Sequence, residues 1–230
     1  MEIGKKEAWQ ERVKKSNAET TLIPYLKSRG VDRLDKLVLT HTDTDHMGDM
    51  LELAKHFSIR EIYVSKGSMT QADFVDKLKK MKAKVHVVEV GDRLPIFDSA
   101  LEVLYPLTQG DGGNDDSIVL YGEFYRTKFL FTGDLEAPGE GQMVTAYPDL
   151  RVDVLKAGHH GSKGSSSPEF LEHIKPKLAL ISAGKNNRYQ HPHQETLDRF
   201  EKIQTKIFRT DEQGAIRFKG WNSWQIETVR

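Results

Sequence analysis

The chain has 230 residues, enough for one sizeable α/β core, and its 34 basic and 34 acidic side chains cancel to zero net charge. That balance excludes a global basic field for nucleic acid, although it leaves room for a local basic groove. Cysteine is absent, which excludes disulfides, a thiol nucleophile and thiolate ligation, so a metal must sit on His, Asp, Glu, Asn or water.

Residues 1–15 are strongly charged around Trp9 and read as a loop or frayed lead-in. Thr21 is expected to cap a short helix ending near Ser28, with Pro24 in its first turn and Gly30 just past its end. The apolar run Leu37-Val38-Leu39, bounded by Lys36 and Thr40, reads as a buried strand. It runs out into His41-Thr42-Asp43-Thr44-Asp45-His46, four metal-competent groups in six residues. Imidazole suits zinc and other transition metals and carboxylate suits harder ions, so the mixture fits a hydrolytic metal centre. Capping of the next helix needs one Asp or Thr and leaves the two histidines unexplained. Helix Met50–Phe57, strand Glu61–Val64, helix Gln71–Met81 and strand Lys84–Val88 then alternate, as in a layered α/β fold.

Strands are next expected at Leu101–Tyr105, Ser117–Tyr121 and Lys128–Phe131, the last two spaced as an antiparallel hairpin. Phe131 delivers Thr132-Gly133-Asp134, and a glycine-containing excursion follows. Strand Val152–Lys156 runs into Gly158-His159-His160-Gly161-Ser162. Pro168 opens a helix to Ile174, and strand Leu178–Ser182 leads to the Asn186–His193 loop. A helix over Glu195–Ile203 and strands near Ile207, Ile216 and Trp224 close the chain, with no repeat or linker, so residues 1–230 read as one domain. No apolar run approaches the ~20 residues of a membrane span and no signal peptide opens the chain, which as written reads as soluble.

Metal-competent residues therefore follow strands at His41, Asp134 and His159, with His191 after a fourth. Strand ends of a layered α/β protein converge on one edge, where crevices form. Singly, a Gly-Asp after a strand is a turn signal; together the segments make one candidate site.

The ordered set HTDTDH, Asn114-x-x-Ser-Ile-Val-Leu, TGDLE, LKAGHHGS, ISAGKNN and YQHPH resembles the metallo-β-lactamase fold, and more narrowly the C-terminal domain of the ComEC competence proteins. The resemblance runs from about Ser16 to Arg217. It implies a four-layer αββα sandwich with a metal centre on one edge. The superfamily's usual first motif is His-x-His-x-Asp-His, so Asp43 replaces its second histidine and makes that site richer in oxygen. The family's opening strands have no match, Glu2-Ile3-Gly4 being at best the tail of the second, and the chain reads as lacking its N-terminal strands. Such a gap would expose a sheet edge. The third-motif histidine is missing too, and His56 and His86 fall in regular structure.

Carried over motif by motif, the resemblance implies that His41 and Asp43 hold one ion, Asp45 and His46 the other, and Asp134 both. Asp45 also orients the attacking water. One of His159 and His160 completes the second site, His160 favoured as ligand and His159 as the contact to the scissile phosphate or leaving oxygen. Asn114 or Asp115 stands in for the missing histidine. His191 or His193 positions a phosphate or donates a proton. Substrate contacts are expected from Asn114, Ser162, Lys163, Lys185, Asn187, Arg188 and His193, on rim loops where phosphate donors are useful. The implied cofactors are two divalent ions, manganese favoured and zinc possible.

The implied function is a metal-dependent phosphodiesterase, a nuclease degrading the non-imported DNA strand, with single-stranded DNA and the membrane channel portion of ComEC, absent from this chain, as partners. Its expected place is the extracytoplasmic side of a bacterial membrane. The alternatives are a small-molecule hydrolase of the lactonase or phosphorylcholine-esterase kind, and a non-catalytic DNA-guiding module.

Overall fold

The computed structural model describes residues 16–220 and 224–229. Trp9 with the expected lead-in, and Glu2-Ile3-Gly4, lie outside them. The first half comprises α1 (Ile23–Ser28), β1 (Arg33–Val38), α2 (Thr44–Met47), α3 (Met50–His56), β2 (Ser58–Ser65), α4 (Ala72–Leu78) and β3 (Lys84–Val88). Its strands form a parallel sheet in the order β1-β2-β3. Side chains alternate across a strand. Ile62 and Val64 of β2 accordingly face a core that includes Met50, Leu53, Phe74 and Leu78 of the helices. Tyr63, between them, faces the other way, into a second core shared with Leu94, Val103, Ile118 and Leu120.

Those partners belong to the second half: β4 (Arg93–Ile96), β5 (Ser99–Tyr105), β6 (Val119–Phe124), β7 (Thr127–Phe131), α5 (Ala137–Ala146), β8 (Val154–Lys156), α6 (Pro168–Ile174), β9 (Leu178–Ile181), α7 (Gln194–Lys202), β10 (Lys206–Arg209), α8 (Thr210–Gln213), β11 (Ala215–Lys219) and β12 (Gln225–Val229). Seven strands make one sheet ordered β10-β9-β8-β7-β6-β5-β4, antiparallel from β4 to β7 and parallel from β7 to β10. Its outer face carries Val119, Leu130, Leu155 and Ala179 against Met143, Phe170, Leu171, Leu197 and Phe200 of α5, α6 and α7. Helices, sheet, sheet and helices thus stack as the expected αββα sandwich. Each fully buried leucine or phenylalanine contributes about 1.5–3 kcal/mol to holding these layers together. A separate hairpin, β11-β12, meets β7 where Phe218 and Trp224 approach Phe129 edge-on.

The β6-β7 hairpin closes on Tyr125 and Arg126, both at positive φ, the conformation a two-residue turn requires. Three local expectations need correction. Thr21 caps nothing: a π-helical turn, Ala18–Leu22, runs directly into α1. The excursion after Asp134 contains a ten-residue helix, α5, whose Pro138, Gly139 and Gly141 lower its helical propensity. Tertiary contact overrides that propensity: Glu140 and Met143 are buried, and a Cβ on Gly139 would lie 2.3 Å from Leu135. Finally, the strand expected from Ser117 starts at Val119, which leaves Ser117 free for the site described next. Among the described residues, no helix is long and apolar enough to cross a membrane.

Candidate metal centre

Four segments leave the C-terminal ends of β1, β7, β8 and β9 and meet at one edge of the sandwich. After β1 the chain turns at residues 39–43, pinned where Thr42 donates to Gly112 O from its backbone N (2.8 Å) and its hydroxyl (2.9 Å). Asp43 occupies the N-cap position of α2 without using its side chain as a cap, which leaves its carboxylate for the site. Asp45 and His46 follow in the first turn of α2. After β7, Gly133 takes φ +55°, and a Cβ there would sit 2.8 Å from Ser117 Cβ, so a larger residue could not bring Asp134 to this spot. After β8, His159 and His160 both adopt left-handed backbone, φ 43° and 53°. That region is costly for side-chain-bearing residues and is held here by the surroundings.

The structure brings Asp45, His46, Asp134 and His160 together, one donor atom from each lying within 4.8 Å of the others. Nε2 of His160 stands 3.3 Å from His46 Nε2, 3.1 Å from Asp45 Oδ2 and 3.5 Å from Asp134 Oδ2. His46 Nε2 reaches Asp134 Oδ1 at 3.1 Å without hydrogen-bond geometry, so that buried oxygen stays unpartnered. The other ring nitrogens are engaged. His160 Nδ1 lies 2.6 Å from Ser182 O, which can only accept, so Nδ1 carries a proton and Nε2 is the nitrogen left to face Asp45 and Asp134. Two imidazole nitrogens and two carboxylates converging this closely call for a cation between them.

A second group lies beside the first. His41 is fully buried, its Nε2 has no hydrogen-bond partner, and Asp43 Oδ2 stands 3.9 Å away. His41 Nδ1 is held by Thr40 Oγ1 at 3.1 Å and Ser117 Oγ at 3.2 Å, while Thr40 Oγ1 also lies 3.1 Å from His46 Nδ1. Ser117 Oγ accepts the backbone N–H of Asp134 at 3.0 Å. His159 donates from Nδ1 to Glu136 (2.8 Å) and turns Nε2 toward Asp134 Oδ2, 3.9 Å away. The orphaned buried nitrogen and oxygen, with every supporting partner on the far side of the rings, fit divalent metal.

The electrostatics agree with that reading. Burial, then the neighbouring His46, pushes His41 down to about 4, so its ring is neutral near pH 7. The bond from His160 lowers Asp45 to about 2, and reciprocally Asp45 raises His160. Burial works to raise the Asp134 carboxyl, but His46, Lys156 and His160 outweigh it and hold it below the usual carboxylate range. Burial and the crowd of His159, His193 and His160 bring His191 down to about 4.

The remaining sequence candidates separate in space. His191 lies 5.4 Å from His159 and 4.9 Å from His193, ring to ring. His193 sits at the N-terminus of α7, its Nδ1 accepting Lys163 N at 3.3 Å. Asn114 approaches His159 Nδ1 at 3.5 Å and keeps a buried, unpartnered Oδ1, while Asp115 accepts Glu136 N at 3.2 Å. Arg188 lines a cleft of about 680 Å³ that Asp43 and Asp45 also line. Lys185 instead lines another, of about 600 Å³, beside Thr210–Gly214. Both ends of the Asn187 amide bond within its own loop, to Gly184 and His191, and buried Ser162 Oγ accepts Gly164 N at 3.2 Å. Sequence reasoning did not single out Thr40, Ser117, Glu136 or Lys156, whose Nζ donates to Gly133 O at 2.8 Å and lies 3.6 Å from Asp134. Ser117, Glu136 and Lys156 belong to the Asn114-x-x-Ser-Ile-Val-Leu, TGDLE and LKAGHHGS motifs, a signal that could have found them; for Thr40 adjacency to His41 was the sole hint.

Residues 5–185 match the Metallo-beta-lactamase superfamily, and the chain belongs to it. The chain is 38% identical to ComE operon protein 3 of Bacillus subtilis (strain 168) over 93% of its own length. To Competence protein ComA of Neisseria gonorrhoeae it is 35% identical over 87%. It spans about a quarter of these relatives, 28% and 27% of their respective lengths. Among solved structures, the metallo-beta-lactamase fold protein YhfI of Bacillus subtilis superposes with a TM-score of 0.56 at 12% identity, over 84% of this chain and 80% of that one. At that identity the likeness bears on the fold alone.

Proposed function

We propose that the chain is a metal-dependent phosphodiesterase acting on DNA, a nuclease that degrades the non-imported strand during competence DNA uptake. The observation that carries this reading is the convergence of Asp45, His46, Asp134 and His160, with His46 and His160 Nε2 only 3.3 Å apart. The competence names of the relatives support the substrate class. In this reading Asp45, His46 and His160 would hold one ion and His41 and Asp43 the other, with Asp134 available to both. Two such ions, when bound, would supply a water of lowered pKa and charge neutralisation for phosphodiester hydrolysis. Asp45 orients the water. His159, its proton parked on Nδ1 by Glu136, faces the scissile phosphate or the leaving oxygen, and His191 stands behind it. Arg188 offers the cleft a cation for the backbone phosphates. The first-motif carboxylates favour manganese over zinc. The partner is the membrane channel portion of ComEC-type proteins, on the extracytoplasmic side.

The test is reconstitution of the purified, metal-stripped chain with manganese or zinc, followed by assay on single-stranded DNA and on small esters. Cleavage of DNA, faster with manganese, is the expected result. Ester hydrolysis without DNA cleavage would make the chain a small-molecule hydrolase. DNA binding without any hydrolysis would make it a guiding module.

A further inference from the structure

Tyr189 is a large aromatic left 56% exposed. Single exposed aromatics are ordinary on a protein surface, so its surroundings decide whether it matters. With Arg188 it forms one wall of the cleft that contains Asp43 and Asp45. The Arg188 guanidinium lies over the ring, 4.5 Å from its centroid, and also donates to the Tyr189 hydroxyl. On the inner side His191 stacks on Tyr189 at 5.7 Å and 23° between planes. His160 stacks on His191 in turn, at 6.3 Å and 20°. Tyr189, His191 and His160 therefore form a run of near-parallel rings that ends at the gathered donors, with the Arg188 guanidinium against the outermost ring. The loop that carries it is tied down by Asn187, which bonds Gly184 O at 2.9 Å, His191 O at 2.6 Å and His191 N at 2.9 Å. Asn186 and Gln190 bend it at φ 55° and 59°.

We propose that Tyr189 and Arg188 form a nucleotide subsite, in which Tyr189 stacks the base beside the scissile phosphate and Arg188 binds the adjoining backbone phosphate. This rests on the phosphodiesterase reading above and deepens it by naming the form of substrate. A base inside a duplex has both faces covered by its neighbours, whereas an unpaired base can lend a face to an aromatic ring. The subsite therefore selects single-stranded DNA. Arg188 is no obstacle to the base. An exposed cation–π contact is weaker than base–aromatic stacking, so a base replaces the guanidinium on the ring. The displaced Arg188 then has a phosphate within the same cleft to pair with.

The experiment compares kcat/KM of the manganese-loaded chain on an oligothymidylate and on an abasic single strand of equal length. Tyr189→Ala is expected to lower the preference for the base-bearing strand roughly ten-fold, with Tyr189→Phe and Tyr189→Trp restoring it. Arg188→Ala should lower kcat/KM on both strands alike, since both keep their phosphates. An unchanged preference in Tyr189→Ala, or equal losses on the two strands, would overturn the stacking role. An Arg188→Ala variant that cleaves both strands like the parent would remove Arg188 from the subsite. Cleavage of neither strand by the parent chain would instead overturn the phosphodiesterase reading itself.

Discussion

The two turns that contribute most donors are built in opposite ways. The turn after β1 presents Asp45 and His46 from ordinary right-handed helix, and Thr42 ties it to Gly112. The turn after β8 presents His159 and His160 from left-handed backbone, which an isolated peptide would avoid. Its geometry is imposed from outside, by Glu136 on His159, by Ser182 on His160 and by Pro192 packed against Gly161. The first turn is close to what its local sequence prefers, and the second exists because the rest of the fold insists on it. Donors on the second turn should accordingly be more sensitive to changes that touch no metal-competent residue.

Asp134 is the point both turns share, and its loss should have the largest effect. Asp134→Asn is expected to lose bound metal and activity together, by more than the roughly 10–100-fold that follows loss of an outer-shell partner. Metal content by elemental analysis, with circular dichroism to show the fold retained, checks this; full metal occupancy would refute the shared role. Next comes the support beneath the first turn. Thr40→Val removes the hydroxyl shared by His41 and His46 and should weaken metal binding about 10–100-fold in calorimetric titration, whereas Thr40→Ser should restore it. Valine and serine variants that bind metal alike would show the hydroxyl to be idle.

The smallest effect separates imposed geometry from simple backbone preference. Gly161 and Gly30 both have positive φ, +81° and +71°, but a Cβ on Gly161 would sit 2.6 Å from Pro192 Cβ while one on Gly30 meets open space. Gly30→Ala should cost about 1–2 kcal/mol of stability and leave metal affinity intact. Gly161→Ala should cost roughly 1–3 kcal/mol more and reduce metal affinity, because the collision is passed to the adjoining His160. Denaturant titration and metal titration of the two variants measure both; equal behaviour would mean that the second turn does not depend on its contact with Pro192.

The contrast also marks how far the sequence could be read. The first turn was legible because strand Leu37–Leu39, the dense HTDTDH run and the following amphipathic helix are local signals. Strand Lys84–Val88 and helix Pro168–Ile174 match their expected bounds for the same reason. The histidine doublet was legible as composition but not as geometry, since nothing in Gly-His-His-Gly announces left-handed histidines. The stacking of His160 beneath His191 and Tyr189 was hidden for a related reason: it depends on which faces two separate loops turn toward each other. Helix α5 was hidden by its glycines and proline, whose local preference is reversed by burial of Glu140 and Met143. Lys185 and Arg188 read alike in sequence, three residues apart, yet line different cavities, with the left-handed backbone of Asn186 between them.

Asp45 and His46 hang from the parallel three-stranded sheet, whereas Asp134 and His160 hang from the seven-stranded one. Any cation they share is therefore a rivet driven through the seam between the two sheets. Ligand binding adds RT ln(1 + [L]/Kd) to folded-state stability, about 2.7 kcal/mol at a hundred-fold excess over Kd. Here that energy is applied across the interlayer contact, where Tyr63 and Val88 meet Leu94 and Val103. A chelator would thus act as a mechanical agent as well as a chemical one, releasing the clamp that keeps the two halves in register.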